Sequence, residues 1–239
     1  MIVKSLSVRN FRCIKEESLD CENLTALVGG NGSGKSTFLR AIDLFYAASP
    51  QLSIHDFSCR DQQHDIEIAV TFTDLTPLER ERFESRLLSH ELQVVRVFDA
   101  NGGKSNGSYY GFTRQLPEFA EVRALSGREM LNAYRALKEK GFELSPVRSQ
   151  ADAEEELSKW EAIPENKDKL EYARDDGKFF GFSNVARGYL GDITKFIFIP
   201  AVRDAADDTA EGRGSAITTL MDLVVRTALT QKKEIAALK

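Results

Sequence analysis

The sequence predicts an α/β fold in which a mixed sheet carries an antiparallel subsheet, a helical insertion and a C-terminal arm helix. A short aliphatic run, residues 24–28, leads into a glycine-rich stretch and then into residues with helical spacing. Residues 66–72 alternate strictly between apolar and other side chains, which is typical of a half-buried antiparallel strand. Residues 117–161 are highly charged and have helical periodicity, which indicates inserted helices.

The elements at the start of the chain follow from local patterns. An aliphatic run that begins at Ile2 predicts a first strand, which ends at the Arg-Asn-Phe-Arg segment of residues 9–12. Residues 24–28 are short, aliphatic and bounded by glycine, which favours a parallel strand buried on both faces. Apolar residues at helical spacing then predict a helix over residues 36–47.

The elements that follow are predicted from turn and cap residues as well as from periodicity. A helix is expected over residues 75–88, with Thr76 as its N-cap and Pro77 in its first turn. Residues 94–98 predict a strand, and residues 109–113 predict its partner across a glycine-rich hairpin loop.

The end of the chain returns to a strand and then to a helix. The segment "TKFIFIPA" predicts a buried strand at residues 195–199, which stops at Pro200. The last helix is expected over residues 216–239. Its pattern fits the start of a coiled-coil arm and an ordinary terminal helix about equally well.

The composition is that of a globular protein rather than a membrane protein. Of 239 residues, 42% are hydrophobic and 29% are charged, and no run approaches the roughly 18 apolar residues of a membrane span. The N-terminus enters a strand-like pattern directly, so we expect no signal peptide, a cytoplasmic location and reduced cysteines. The net charge of −5 does not demand a nucleic-acid-binding face, so a DNA partner would need a local basic patch.

The stretch "LVGGNGSGKST", residues 27–37, carries the strongest functional signal. It fits the pattern G-x-x-x-x-G-K-[ST] through Gly29, Gly34, Lys35 and Ser36, between a predicted strand and a predicted helix. Glycines let successive backbone N–H groups converge on phosphate oxygens, and the helix directs its positive end at the same anion. The stretch therefore predicts a nucleoside triphosphate site.

Each residue type in this loop has an expected role. Lys35 is expected to reach the β- and γ-phosphates, Ser36 to ligate Mg²⁺, and Thr37 to bond the α-phosphate. We therefore expect ATP and Mg²⁺ as cofactors. The predicted nucleotide-binding residues of the loop are Asn31, Gly32, Ser33, Gly34, Lys35, Ser36 and Thr37.

Several segments together resemble a known class of ATPase. "GNGSGKST" about thirty residues into the chain, preceded by "LSVRNFRCI", resembles the ATPase heads of the SMC/RecF-type ABC class. "HDFSCRDQQHDIEIAVTFTDLTPLERERF" and "FIFIPAVRDA" are similar to segments of OLD-family (overcoming lysogenization defect) ATP-dependent endonucleases. The resemblance covers most of residues 1–85 and residues 194–206, and it implies the N-terminal ATPase lobe of such an enzyme.

The resemblance implies two further site residues and a division of the chain. Arg12 would contact the nucleotide phosphates, with a solvated surface arginine as the alternative. Asp56 would approach Mg²⁺ together with Ser36, with a helix or turn cap as the alternative. Arg203 and Asp204 would form an ion pair. The chain would divide into an ABC-type lobe at 1–116, a helical insertion at 117–190, a return strand at 191–212 and an arm from 213 to 239.

The sequence lacks the parts that hydrolysis and nuclease chemistry need. No strand ends in Asp-Glu, and "VVRVFDA" comes nearest, with Arg96 interrupting the apolar run before Asp99. The pairs at residues 175–176 and 207–208 are expected to be solvated turns, and His55, His64 and His90 lack ligand spacing. In the resembled family these parts follow the arm, together with a Toprim-type nuclease domain. We therefore expect a lobe of a longer polypeptide that binds Mg-ATP with little turnover and does not cleave DNA alone.

Three functions remain open at this level. The first is the nucleotide-binding lobe of an OLD-like ATPase in DNA processing or phage defence, which would pair with a second head or with its own C-terminal half. The second is a small-molecule kinase or another P-loop ATPase, for which Arg80, Arg82 and Arg86 would have to form a lid. The third is a nucleotide sensor that closes an interface with a partner. DNA is an expected partner of the full-length protein, and a membrane is not.

Overall fold

The computed structural model describes residues 1–100, 107–177, 190, 194 and 196–198. The chain divides into two units, residues 1–194 and residues 195–239. Of the second unit, residues 196–198 are described; they are not part of a strand, and the rings of Phe196 and Phe198 lie 6.5 Å apart.

The first unit is built on a six-stranded sheet. Its strands are β1 (Ile2–Phe11), β2 (Ile14–Asp20), β3 (Ile66–Thr73), β4 (Leu87–Leu88), β5 (Glu91–Phe98) and β6 (Ser108–Tyr110). The order is β2-β1-β3-β5-β4, and β6 pairs with β5. Each of these pairings is antiparallel. The predicted antiparallel subsheet is therefore confirmed, including the pairing of residues 94–98 with the segment that begins near residue 109.

Helix α1 (Lys35–Tyr46) packs its buried side against this sheet. Ala41 and Phe45 are fully buried in one core with alternate residues of the central strands. The register places Val8, Ile68, Arg96 and Tyr109 opposite one another in a row across β1, β3, β5 and β6. An arginine therefore occupies a core position of the sheet. The predicted helix at 36–47 is confirmed to within one residue at each end.

The region between β3 and β5 differs from its prediction as one long helix. Helix α2 (Pro77–Phe83) is followed by a 3₁₀ turn at Glu84–Arg86 and then by β4. Leu87 and Leu88 pair with β5 across a two-residue turn, in which Ser89 and His90 have φ of 50° and 72°. Positive φ at both central residues is the geometry of a tight hairpin turn. The prediction of one helix over residues 75–88 is therefore wrong beyond Phe83, because its last two residues pair with β5 in a hairpin.

The predicted cap of α2 is present. The Thr76 hydroxyl accepts a hydrogen bond from the Glu79 backbone N–H at 3.3 Å, and Glu79 Oε2 accepts one from the Thr76 N–H at 2.8 Å. Pro77 occupies the first turn. Two otherwise unsatisfied donors at the helix start are therefore paired reciprocally.

Replacing Thr76 by alanine is expected to lower the free energy of unfolding by about 1 kcal/mol, because the Glu79 N–H loses its acceptor. Urea denaturation followed by circular dichroism measures this change. Leu78→Ala on the same helix is the control, because the Leu78 side chain is largely exposed and contributes little. Equal losses in both variants would contradict the capping role.

The inserted helices have a core of their own. Helices α3 (Pro117–Arg123), α4 (Gly127–Glu139) and α5 (Gln150–Ala162) lie within the region predicted to be helical. They surround a cluster that includes Phe119, Tyr134 and Leu157. A two-stranded antiparallel sheet brackets them, formed by β7 (Phe112–Gln115) and β8 (Glu171–Arg174). The division of the chain at residues 116, 190 and 212 stays a prediction.

Asp175 is buried rather than solvated, so the prediction of a solvated turn at residues 175–176 is wrong for it. Its exposed fraction is 8%. Its carboxylate accepts hydrogen bonds from the N–H groups of Gly111 and Gly177 at 2.9 and 3.0 Å, and Arg86 Nε lies 3.3 Å away. Through these contacts, Asp175 ties the 3₁₀ turn that precedes β4 to the strands of the insertion.

The predicted parallel strand at residues 24–28 is not formed. These residues belong to no strand, and the side chains of Leu24 and Val28 are 89% and 94% exposed. A strand needs hydrogen-bonding neighbours, and none of the strands that the structure describes lies beside this segment. The predictions for most of the hairpin loop at 101–106, for residues 199–239, and for Arg203 and Asp204 lie outside the described residues.

Candidate functional site

The glycine-rich loop precedes α1 directly and ends in a left-handed residue. Gly34, the N-cap of α1, has φ of 90°, a conformation that side-chain-bearing residues rarely adopt. A Cβ on Gly34 would also lie 3.4 Å from Cys13 Sγ, and one on Gly29 would lie 2.8 Å from Ser33 Oγ. The left-handed backbone at Gly34 therefore favours glycine where the loop turns into the helix, and a side chain at Gly29 would require Ser33 to move.

The Lys35 ammonium group lies within its own loop. Its Nζ donates hydrogen bonds to the carbonyl oxygens of Gly29 and Gly30, both at 2.7 Å, and lies 3.3 Å from Ser33 Oγ. These three oxygens hold the positive charge of Lys35 at the start of α1, where the helix dipole adds to the positive potential. The loop thus presents a site for an anion, with the lysine already at its centre.

The two hydroxyls after Lys35 have different surroundings. Ser36 is exposed at the start of α1, and Thr37 is buried. Thr37 Oγ1 lies 3.1 Å from Cys13 Sγ, in a hydrogen bond whose donor can be either group. Cys13 lies in the two-residue turn between β1 and β2, so this contact joins that turn to the loop. The sequence predicted no role for Cys13, because a contact between a thiol and a hydroxyl far apart in the chain has no sequence motif.

Arg12 and Asp56, both predicted site residues, contact each other. Arg12 Nε and Nη2 lie 3.0 Å from Asp56 Oδ1, and the Arg12 backbone N–H donates to the Asp56 carbonyl at 2.8 Å. Asp56 Oδ2 accepts hydrogen bonds from the backbone N–H and the hydroxyl of Ser53. The cap that was the alternative for Asp56 is thus present, and the metal-binding role of Asp56 stays a prediction.

The surroundings of Asp56 favour its charged form. Burial alone would raise the pKa of Asp56, but the hydrogen bonds from the Ser53 backbone and from Arg12 outweigh it and lower the pKa below its ordinary value of 3.8. A lowered pKa in the folded state adds stability above the ordinary pKa, and this part is lost as the pH falls through the lowered value. The effect therefore lies in the acid range below about pH 5.

Replacing Asp56 by asparagine is expected to flatten the acid side of the stability profile. The free energy of unfolding should fall less steeply between about pH 5 and pH 2 than in the unchanged protein, because one linked carboxylate is absent. Urea titrations at several pH values measure the slope. Ser53→Ala, which removes the hydroxyl donor and keeps the backbone donor, should give an intermediate slope. Identical slopes for all three proteins would refute the linkage.

A cluster of left-handed residues lies at the end of β1. Asn10, Arg12, Cys59 and Arg60 have φ between 54° and 59°. The buried Asn10 side chain accepts a hydrogen bond from the Ser58 N–H, and its amide donates to two carbonyls of residues 61–64. Such conformations concentrate where the surrounding structure fixes them, often at functional sites. Asn10 thus holds the segment that follows Asp56 against the end of β1, two residues before Arg12.

The described residues contain no group of three or more His, Cys, Asp or Glu side chains that could hold a metal ion. In the same part of the chain, no helix is long and apolar enough to cross a membrane.

Comparisons with known proteins identify the family of the chain. A family model described as an AAA ATPase domain matches residues 1–238. An OLD nuclease from Thermus scotoductus is 45% identical over 76 residues, which are 30% of this chain and 14% of that protein, so the match spans a small part of the relative's length. A structure from work on ATP-driven dimerization and DNA stimulated activation of SMC ATPases has 19% identity and a TM-score of 0.36, and covers 70% of this chain and 96% of that chain. The family match and the OLD nuclease match confirm the resemblance found in the sequence.

Proposed function

The chain belongs to the AAA ATPase domain family, and on that premise we propose that it binds Mg-ATP through the loop at residues 29–37. It would serve as the nucleotide-binding part of an OLD-like ATPase that acts in DNA processing or phage defence. The position of Lys35 carries this proposal. Its ammonium group is held by two loop carbonyls at 2.7 Å, at the N-terminus of a helix whose first turn has no acidic residue.

A triphosphate can replace the loop carbonyl oxygens as the hydrogen-bond acceptor of the Lys35 ammonium group. Phosphate oxygens accept stronger hydrogen bonds from an ammonium group than neutral carbonyls do, because both partners are charged. The bonds to Gly29 and Gly30 can therefore exchange for bonds to the ligand while the lysine stays near its position. Thr37, already held by Cys13, would add a hydroxyl donor to the same anion.

The residues present also fit a magnesium ion. Mg²⁺ is usually bound through one or two protein oxygens, with the remaining ligands from phosphates and water. The exposed Ser36 hydroxyl at the start of α1 fits one such ligand. Asp56 fits a second only if its carboxylate releases Arg12 or Ser53. Bound magnesium would neutralise phosphate charge, and Ser36 would orient the ion beside the loop.

A partner that covers the approach to the loop is part of the proposal. Leu24 and Val28 lie shortly before the loop, and their large apolar side chains are almost fully exposed. We infer that these two apolar side chains contact another segment or chain in the complete protein. The partner would be a second ATPase head or the C-terminal half of the same polypeptide, with DNA as the ligand of the complete protein.

Isothermal titration calorimetry with ATP tests the proposal. We expect saturable binding of ATP with Mg²⁺, weaker binding without Mg²⁺ and weaker binding of AMP, because the β- and γ-phosphates provide the main contacts. Absence of heat at saturating Mg-ATP, together with unchanged thermal stability, would refute it. Phosphate release measured on the same sample tests the further expectation that this chain alone turns over little ATP.

A nucleotide sensor is the second candidate, and the exposed Leu24 and Val28 favour it. In that case ATP would drive association without DNA binding. Sedimentation with and without ATP, and with and without a DNA duplex, separates the two. Association that requires ATP and ignores DNA supports the sensor, whereas DNA binding supports the DNA-processing function.

A further inference from the structure

The C-terminus of the P-loop helix is held by a buried arginine. The last carbonyls of an α-helix receive no hydrogen bond from within the helix, so they need donors from elsewhere. Arg96 Nη1 on β5 donates to the carbonyls of Leu44, Phe45 and Ala47 at 2.7, 3.1 and 2.7 Å. The Tyr109 hydroxyl on β6 donates to the Phe45 carbonyl at 2.5 Å. Two neighbouring strands thus supply the donors for one helix end.

The guanidinium group is fully enclosed. Arg96 is 0% exposed, and its guanidinium carbon lies 4.7 Å from the ring centres of both Phe98 and Tyr109. Burial lowers the pKa of Arg96 below its ordinary value. Burying a charge is costly unless hydrogen bonds and favourable fields compensate it. Here the compensation comes from the carbonyls and from the negative end of the α1 dipole, which stabilises a cation at this position.

An apolar residue at position 96 would fill the core without that cost. The neighbours of Arg96 in the row across the sheet include Val8 and Ile68, so an aliphatic side chain would match its surroundings. Replacing buried charges by apolar groups of similar volume is often neutral or stabilising. The arginine contributes orientation instead. Its hydrogen bonds fix the axial position and the rotation of α1 relative to the sheet.

The other end of the same helix carries the nucleotide loop. Lys35, Ser36 and Thr37 form the first turn of α1, about 15 Å from the carbonyls that Arg96 holds, since each residue adds about 1.5 Å. A helix of this length moves as a rigid body, so a rotation or shift at one end changes the position of the other. Phosphate contacts depend on distances of tenths of an ångström.

We propose that Arg96, assisted by Tyr109, is the positioning residue of the nucleotide loop. It touches no nucleotide and sets the orientation of the helix that carries Lys35, Ser36 and Thr37. The proposal rests on the proposed function, because its main readout is the affinity for Mg-ATP. The β5–β6 hairpin thereby becomes part of the nucleotide site, although none of its residues lies in the loop.

The test compares variants that change the polar contacts of Arg96 with one that changes only apolar volume on the same strand. Arg96→Met keeps the volume and removes the donors, and Arg96→Lys restores a charge and one donor. Val94→Ala, on the same strand and fully buried, removes apolar volume and no polar contact. For each folded variant, the Mg-ATP dissociation constant, the urea midpoint and the hydrogen exchange of the amides of residues 35–38 are measured.

We expect Arg96→Met to weaken Mg-ATP binding at least tenfold and to speed exchange at residues 35–38, with Arg96→Lys recovering part of both. Val94→Ala should change the affinity less than twofold even where its urea midpoint falls further. Equal affinities and equal exchange in Arg96→Met and Val94→Ala would overturn the proposal. If Arg96→Met does not fold, Tyr109→Phe, which loses a single hydroxyl, takes its place with an expected threefold loss of affinity.

Failure of the proposed function is distinguishable from failure of this inference. If the unchanged protein binds no Mg-ATP, the proposed function fails, and exchange at residues 35–38 alone decides whether Arg96 positions the loop. If the unchanged protein binds Mg-ATP and all variants bind it equally, the proposed function stands and the inference fails.

Discussion

Replacing Lys35 by alanine is expected to lower the affinity for Mg-ATP about 100-fold, since hydrogen bonds to charged groups contribute about 1.5–3 kcal/mol each. The ammonium group lies within the loop, 2.7 Å from two carbonyls, and under the proposed function it contacts the β- and γ-phosphates. Its removal also leaves the carbonyls of Gly29 and Gly30 facing the incoming phosphates, which adds repulsion. Calorimetric titration of the variant with Mg-ATP measures the loss.

The control for this variant is Lys15→Ala. Lys15 is an exposed lysine on β2, so its loss lowers the net charge by the same amount without changing the loop. Similar affinities of the Lys35 and Lys15 variants would show that the loop lysine does not contact the ligand. Thermal unfolding of the Lys35 variant should stay near that of the unchanged protein, because among the described residues the lysine is hydrogen-bonded only within its own exposed loop.

Replacing Phe45 by alanine is expected to lower the free energy of unfolding by about 3–5 kcal/mol, the usual cost of removing a buried aromatic ring. Phe45 is fully buried, and its ring meets those of Tyr46 and Tyr109 edge to face, with centres 5.2 and 5.6 Å apart. The ring thus packs the end of α1 against the sheet, and its loss leaves a cavity beneath the helix.

Urea denaturation followed at 222 nm measures this change. Leu39→Ala on the same helix is the control, because Leu39 is 41% exposed and its truncation should cost about 1 kcal/mol or less. A loss below about 1 kcal/mol for Phe45→Ala would mean that α1 does not depend on this core for its stability.

Elements with strong local patterns were predictable from the sequence. The loop and α1 follow from glycine spacing and helical periodicity, and β3 follows from strict alternation. Thr76 and Pro77 mark the start of α2, because a cap is a short-range interaction between residues three apart. In each case the energetically decisive contacts lie within a few residues of one another.

Elements that depend on distant neighbours were not predictable. β2 contains few apolar residues, and it forms because β1 offers it a free edge, which no local pattern encodes. Residues 24–28 have the composition of a buried strand, but composition does not show whether other strands lie on either side.

The burial of Arg96 and Asp175 was not predictable for a related reason. Arg96 was counted as an interruption of an apolar strand, and Asp175 as part of a solvated turn. The partners of Arg96 are backbone carbonyls 49–52 residues away in the sequence, and those of Asp175 include the Gly111 N–H 64 residues away and the Arg86 side chain. At the candidate site, the contacts of Cys13 with Thr37 and of Arg12 with Asp56 are likewise long-range.

The alignment of Arg96 with Val8, Ile68 and Tyr109 also bears on how the chain finds one pairing among several. Along β5, valines at positions 94, 95 and 97 are nearly interchangeable in shape, so apolar packing alone discriminates poorly between neighbouring alignments. Sliding β5 by one residue against β3 would place the Arg96 guanidinium on the opposite side of the sheet. The carbonyls at the end of α1 would then lose this hydrogen-bond donor. The hydrogen bonds of Arg96 therefore favour the observed alignment of β5 over one shifted by a single residue.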